Sequence, residues 1–600
     1  MSQLQYSRLC QLIDHPFTVK SAVSITKEQE KSLLITLSQV LNKVKLWIAE
    51  FDSDSGSDSE NGDHTSDNQD RPFIDTSKCH PSASPCLLKI INDLVLLLAV
   101  ESRFVQHLAV NVVVSVSEYV VASGSYWEEV MQSICFHLKL IICKVISPCS
   151  DPTISVKHIG CDSAYSTLDL QPVLNNASWH SVGAIVLVLR TILKQLKHED
   201  NAKILEIYFR VLGSCLQDIP WDSCNGALFV DVTTPPESWF EFCGYLLQLF
   251  CSLADCEDEN PTVREILNVF PNILSWYFGK QGENHNSSIS RYIQHKILVL
   301  MIRLSSLINL DCVTVVSWLK LIEKYFQDLL SESVSEPMAD QDDCLGDSPF
   351  NGTSHRHLQR RVIFLYLKCS FSLIGLNEKR KKQCSCGNMN SCSQKGLITL
   401  YEWIKKHLPG NILDKHELYD DCCKSFTKSF IQLYMHEDDM LFKILLQLTY
   451  TPFEDTQQIT DVAKKEILFL LSDIFDPVRL FHLFLSELHY DHQVLLDYLI
   501  SKDTGTSCAE YLLRCLRIIC EKWGSFFEFP FRAEVERQSC PKRRKFENGK
   551  NCQRAFYKAR DCLLLLKKSV ESLHQKDLFP YNPQVLLQRL IRFLELCLRQ

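Results

Sequence analysis

Residues 476–523 read DPVRLFHLFLSELHYDHQVLLDYLISKDTGTSCAEYLLRCLRIICEKW, and their punctuation decides the fold class. Asp476 and Pro477 put a capping carboxylate ahead of a proline at the first helical position, where its missing N–H costs nothing. Leu480, Phe481, Phe484, Leu485 and Leu488 follow at helical spacing and share one apolar face. Asp491 is placed to cap the next helix, which gives His489 and His492 beside it a structural reading over an acid/base one. Gly505 reads as the end of an element, and Ser507-Cys508-Ala509-Glu510 as the capping box of the following one, whose face is Leu512, Leu513, Leu516, Ile519 and Cys520. Asn582-Pro583 repeats the first device before a last helix with Val585, Leu586, Leu590, Phe593 and Cys597 on one side.

Working outward, the same periodicity recurs over most of the 600 residues. Helices are expected at Lys27–Phe51, Ser84–Glu101, Ser102–Val121, Trp127–Ile146, Trp179–Leu196, Asn201–Leu216, Glu237–Leu253, Ile289–Leu307, Val313–Leu330, Leu358–Leu373 and Lys395–His407. The valine-rich run Val110–Val121 has strand-forming residues, but it continues the phase of Phe104, Leu108 and Val112 and is read as helix. With 19 glycines in 600 residues the chain lacks the turn chemistry that sandwiches, barrels and phosphate-binding α/β folds need. Wide apolar stripes on helices of ordinary length must be buried by stacking, at roughly 40 residues per pair. The expected fold is all-α: a HEAT/armadillo-like α-solenoid, or an irregular stack of helical repeats, with a small C-terminal helical hairpin.

The expected organisation is N-terminal helices over 1–51, an acidic linker over 52–83, a helical body over 84–330, a second acidic linker over 331–357, more body over 358–537, a basic linker over 538–552 and the hairpin over 553–600. The formal charge of -9 is concentrated: Asp52–Asp70 holds seven acidic residues and Glu332–Asp347 six, so removing those 13 leaves +4. Most of the 27 cysteines lie in apolar helical stretches, as free core cysteines do, which points to a reducing compartment. No secretory signal opens the sequence, and the apolar run Leu87–Val100 is too short to span a bilayer, so no membrane partner is expected.

Patterns for phosphate-cradling loops, dinucleotide binding, nucleophile elbows and zinc proteases are absent, so no catalytic residue and no cofactor is expected. Pro541-Lys542-Arg543-Arg544-Lys545 fits the acidic groove of a nuclear import receptor, or is a solvated linker that touches phosphates nonspecifically. Cys384, Cys386 and Cys392 offer three thiolates, one short of a structural zinc set, and otherwise form a loop of free thiols. Ser55 and Ser57 each have a carboxylate three residues on and suit an acidophilic kinase, or belong to an unmodified spacer. Basic residues occur in short runs instead of a stripe interleaved with aromatics, which makes nucleic acid the weaker alternative to a protein partner.

The stretch His482–Trp523 resembles the central signature of the Lines family, and Asp561–Leu590, DCLLLLKKSVESLHQKDLFPYNPQVLLQRL, is similar to that family's short C-terminal domain. The resemblance implies a helical, non-enzymatic regulator of developmental signalling that moves between cytoplasm and nucleus, with Wnt-type pathways the best-known setting. The family brings no catalytic residues to carry over.

Overall fold

The computed structural model describes residues 25–54, 84–100, 102–123, 126–146, 177–197, 202–219, 221, 236–256, 261–280, 288–307, 312–334, 355–379, 389–408, 416–449, 462–527 and 544–599. All regular structure among them is helical, and the chain divides into two compact units, Met1–Ile308 and Asn309–Gln600.

The first unit contains α1 (Lys27–Asp54), α2 (Ser84–Leu98), α3 (Arg103–Ser123), α4 (Trp127–Ile146), α5 (Trp179–Leu196), α6 (Ala202–Gln217), α7 (Glu237–Ala254), α8 (Pro261–Leu267), α9 (Phe270–Lys280) and α10 (Ser288–Leu307). Alternate helices run side by side in the same direction. Trp47 of α1 meets Tyr119 of α3 at 5.9 Å between ring centroids, while Ser102, just before α3, hydrogen-bonds Glu30 near the start of α1. The α3–α5 pair shows the same phase, with Gln106 Nε2 donating to His180 O at one end and Gln195 Nε2 to Glu118 at the other, both at 3.4 Å. His180 and Lys197 of the α5 region reach Glu241 and Ser252 of α7, and α7 meets α10 through Gln248–Tyr292 and Asp255–Arg303. A second row repeats this parallel register, Trp127 Nε1 of α4 donating to Ile204 O of α6 at 3.2 Å and Lys139 pairing with Asp218 at 2.9 Å. Two rows of mutually parallel helices are what α-solenoid stacking produces, because each helix pair adds its apolar stripe to the next.

The valine-rich α3 is a helix throughout, and its valines at 105, 112, 113, 116 and 120 are buried. It is also long and apolar enough to cross a bilayer, yet 67% of that stretch is buried against its neighbours.

The second unit is less regular: α11 (Cys312–Tyr325), α12 (Gln327–Ser331), α13 (His355–Lys379), α14 (Met389–His407), α15 (His416–Tyr434), α16 (Asp438–Thr449), α17 (Val462–Ile474), α18 (Pro477–Glu487), α19 (His492–Ile500), α20 (Gly505–Glu521), α21 (Trp523–Phe527), α22 (Arg544–Gln575) and α23 (Gln584–Leu598). The single helix expected over Val313–Leu330 is two, broken at Phe326 (φ -126°, ψ 21°), whose ring is turned into the core at 2% exposure. Asp476 caps α18 through a 3.1 Å hydrogen bond from Arg479 N–H with Pro477 in the first turn, and Asp491 caps α19 by accepting from Gln493 N–H at 2.8 Å.

Two expected caps are corrected. α20 starts at Gly505, not at a Ser507 capping box; Thr504 precedes it and turns its hydroxyl onto Tyr498 O at 3.0 Å. The glycine is required by close approach, since a Cβ there would lie 2.6 Å from Leu499 O. α23 starts one residue after Pro583, with Asn582 accepting from Gln584 N–H at 3.0 Å.

Candidate functional site

The terminal hairpin is built from α22 and α23 and docks on the second unit through aromatic side chains. Trp523 and Phe526 of α21 each meet Phe556 of α22 and Phe593 of α23, with ring centroids 5.7–6.0 Å apart. Tyr581, in the hairpin turn, donates to Leu499 O at 3.0 Å, so the hairpin is tied to the α19–α20 junction as well. His482 of α18 stacks on Phe526 with centroids 4.2 Å apart and its Nε2 lies 3.0 Å from Phe526 O. Burial lowers its pKa to about 4, which keeps the ring neutral.

The turn between α18 and α19 carries two successive non-glycine residues in the left-handed region, His489 (φ 54°) and Tyr490 (φ 60°). Tyr490 N–H donates to Leu485 O at 2.8 Å and His489 N–H to Ser486 O at 2.9 Å, the paired bonds of a Schellman ending. Each such residue costs on the order of 1 kcal/mol, and the Tyr490 ring then lies under Lys558 Nζ of α22 at 5.5 Å. No glycine or asparagine announces this turn, so sequence reading had no signal for it.

A buried ion cluster pins α13 to α15. Glu437 receives His357 Nδ1 at 2.5 Å and Arg360 Nη1 at 2.8 Å, while Arg360 Nε donates to Leu433 O. Burial raises the Glu437 pKa, but the hydrogen bonds and charges of His357 and Arg360 win and hold it at about 2.

Burial pushes the thiols of Cys369, Cys515 and Cys562 up to about 12, which makes them protonated core groups. Among the described residues no group of three His, Cys, Asp or Glu could hold a metal ion. Cys392 is half-buried in α14, whereas Cys384, Cys386, Ser55, Ser57, Pro541, Lys542 and Arg543 lie outside the described residues. Arg544 and Lys545 occupy the first turn of α22. Asp491 is used as a helix cap and lies 4.0 Å from His492 Nδ1.

The first unit has a cleft of about 150 Å³ over α5, walled by α3 and α7. Arg103 Nη2 lies 3.1 Å from Glu241 Oε1 and His180 Nδ1 3.3 Å from Glu241 Oε2, which closes one end with three charged or titratable side chains from three helices. Gly183 and Ala184 line its floor. Sequence reading passed over these residues; the available signal was Gly183, a glycine inside the helical pattern of α5 that lines the cleft.

These features define an all-α protein of stacked helices with a docked terminal hairpin. Residues 318–529 match the family model described as Lines N-terminus and residues 559–595 the one described as Lines C-terminus, in that order, so these two segments of the chain are similar to the Lines family. The N-terminal match begins at α11, well upstream of the His482–Trp523 signature. Protein Lines homolog 1 of Homo sapiens is 27% identical over 180 residues, 29% of this chain and 22% of that protein, so the match spans about a fifth of that relative's length. A solved circular tandem repeat protein with novel repeat topology and enhanced subunit contact surfaces overlaps 86% of this chain and 96% of its own at 11% identity. The TM-score of that overlap is 0.22, too low to carry any argument.

Proposed function

We propose that this chain is a non-enzymatic helical scaffold that regulates developmental signalling or transcription by binding other proteins, with the outer face of the hairpin as a contact surface. The two Lines-family matches, which suggest a developmental regulator, support the first part. The observation that carries the second is the divided character of α23. Leu586, Leu590 and Phe593 are buried, whereas Val585, Ile591 and Leu598 are 59%, 41% and 87% exposed. Arg592 and Arg599 are exposed alongside them. Single exposed apolar residues are ordinary on a protein surface, but Ile591 and Leu598, seven residues apart, share one flank of the exposed face, with Arg592 and Arg599 between them and Val585 on the other flank. Residues 541–600 hold 14 Lys or Arg and five Asp or Glu, a net of +9, which suits a partner with an acidic rim around an apolar centre.

The test is proximity labelling of the full-length protein carrying Val585→Asp, Ile591→Asp and Leu598→Asp, changes confined to exposed positions. Loss of a specific set of signalling or transcription proteins is expected; labelling identical to wild type removes the hairpin face from the function. The same proposal has the chain working in both nucleus and cytoplasm, with a nuclear import receptor taking Pro541–Lys545, a reading that the basic run in the sequence supports. Replacing Lys542, Arg543, Arg544 and Lys545 with Ala should leave a tagged protein cytoplasmic, and an undiminished nuclear signal refutes the import role.

The +9 charge also supports a second reading, phosphate contacts to nucleic acid by the basic segment. It requires an affinity whose logarithm falls steeply with log salt, and no binding at low salt disposes of it.

A further inference from the structure

Two half-buried cysteines meet where the hairpin docks, Cys520 at the end of α20 and Cys597 near the end of α23. The two helices pack together and run in the same direction. Tyr581, ahead of α23, donates to Gly505 O at the start of α20 at 3.3 Å, and Phe593 meets Trp523, just past the end of α20, at 5.7 Å. That register brings the two cysteines to the same end of the pair. Cys597 follows the buried Leu590 and Phe593 by seven and four residues, which puts it on the inner side of α23. Cys520 follows the buried Leu516 by four and lies beside Arg592 and Arg589, both from α23, so it faces that helix. Cys597 in turn is close enough to sense Arg560 of α22 and Cys520 itself.

Both residues are partly open to solvent, unlike Cys515 of α20 and Cys562 of α22, which are buried. Burial still raises both thiols, Cys597 to about 11, while the guanidiniums oppose it, two at Cys520 and one at Cys597. The pair is therefore protonated and reduced at rest, and oxidant reaches it slowly.

We propose that Cys520 and Cys597 form a redox site, closed by a peroxide to a disulfide that staples the hairpin to α20. The Cys520 thiolate, favoured by its two guanidiniums, takes one oxygen of hydrogen peroxide, becomes a sulfenic acid and releases hydroxide. Cys597 attacks that sulfur, the S–S bond forms, and the sulfenic oxygen leaves as water with the Cys597 proton. The hydroxide takes the proton that Cys520 gave up. Two electrons pass from the sulfurs to the O–O bond, and two thiols with one peroxide give one disulfide and two waters. The site does not depend on what the hairpin binds.

The experiment treats the full-length protein with hydrogen peroxide beside glutathione as a reference thiol, takes the monomer band of a non-reducing gel and maps its tryptic peptides by mass spectrometry. The peptides Ile518–Lys522 and Phe593–Arg599 should appear joined, two hydrogens lighter than their sum, and separate again with dithiothreitol. In the oxidised protein the amides of Leu586–Phe593 should exchange roughly tenfold or more slowly than in the reduced one, the low end of what a disulfide closing a long loop contributes. Cys597→Ser treated in the same way should show neither the joined peptides nor the slowing. Both peptides recovered as thiols once the glutathione is fully oxidised overturn the proposal. So do separate sulfinic acids, links to other cysteines in their place, or a joined pair whose hairpin exchanges like that of Cys597→Ser.

Discussion

Phe593→Ala tests the claim that the hairpin is held by an aromatic anchor. Phe593 is fully buried and touches both Trp523 and Phe526, so truncation removes two ring contacts and opens a cavity at the centre of the dock. Core Phe→Ala changes cost about 3–5 kcal/mol. A two-helix hairpin has too little core to persist undocked, so that cost should appear as easier opening of α22 and α23. At 1.4 kcal/mol per decade the amides of Leu586–Phe593 should exchange roughly a hundredfold to a few thousandfold faster by hydrogen–deuterium exchange. Amides in α5, which belongs to the first unit, serve as the internal standard and should change far less. Val585→Ala, at a position 59% exposed, should leave exchange unaltered. Less than about tenfold acceleration in Phe593→Ala would mean that the cluster is not the anchor, and that Tyr581 and the remaining apolar faces hold the hairpin.

Gly505→Ala should destabilise the second unit by about 2 kcal/mol or more, because the new methyl meets the Leu499 carbonyl at 2.6 Å; a wild-type urea midpoint refutes the close-approach argument. Two acid transitions should be separable. His137 and His482 are both lowered by burial to about 4 from an ordinary value of 6.5, so their contribution is full above pH 6.5 and is lost as pH falls toward 4. The urea midpoint should therefore drop between pH 7 and pH 4.5, and a flat profile there contradicts the neutral-ring reading. Glu437 is held at about 2 against an ordinary 4.5, so its contribution is present above 4.5 and is lost as pH falls from there to about 2. Glu437→Gln should lower stability at neutral pH and flatten that lower limb; an unchanged limb would remove the cluster from acid stability.

Helix type and most helix limits are properties of short stretches. Trp127–Ile146 and Trp179–Leu196 are helices over the spans their periodicity predicts, and Asp476 and Asp491 act as the caps their positions announce. The failures share one cause. Phe326 breaks a helix because the core takes its ring, Gly505 opens α20 because the Leu499 carbonyl comes close, and His489 and Tyr490 accept left-handed backbone under α22. In each case the deciding neighbour is a tertiary contact or a carbonyl that a spacing rule does not see.

The all-helical class, the positions of most helices and the two Lines-like segments can be read from the residues alone, because 3.6-residue periodicity, caps and family signatures are written within tens of residues. The parallel rows of the first unit, the aromatic dock of the hairpin and the groove over α5 come from packing between distant helices. Those depend on which side chains meet across 30 to 140 residues of chain, as Phe526 and Phe556 or Arg103 and Glu241 do, and burial settles that globally, one helix stripe against another.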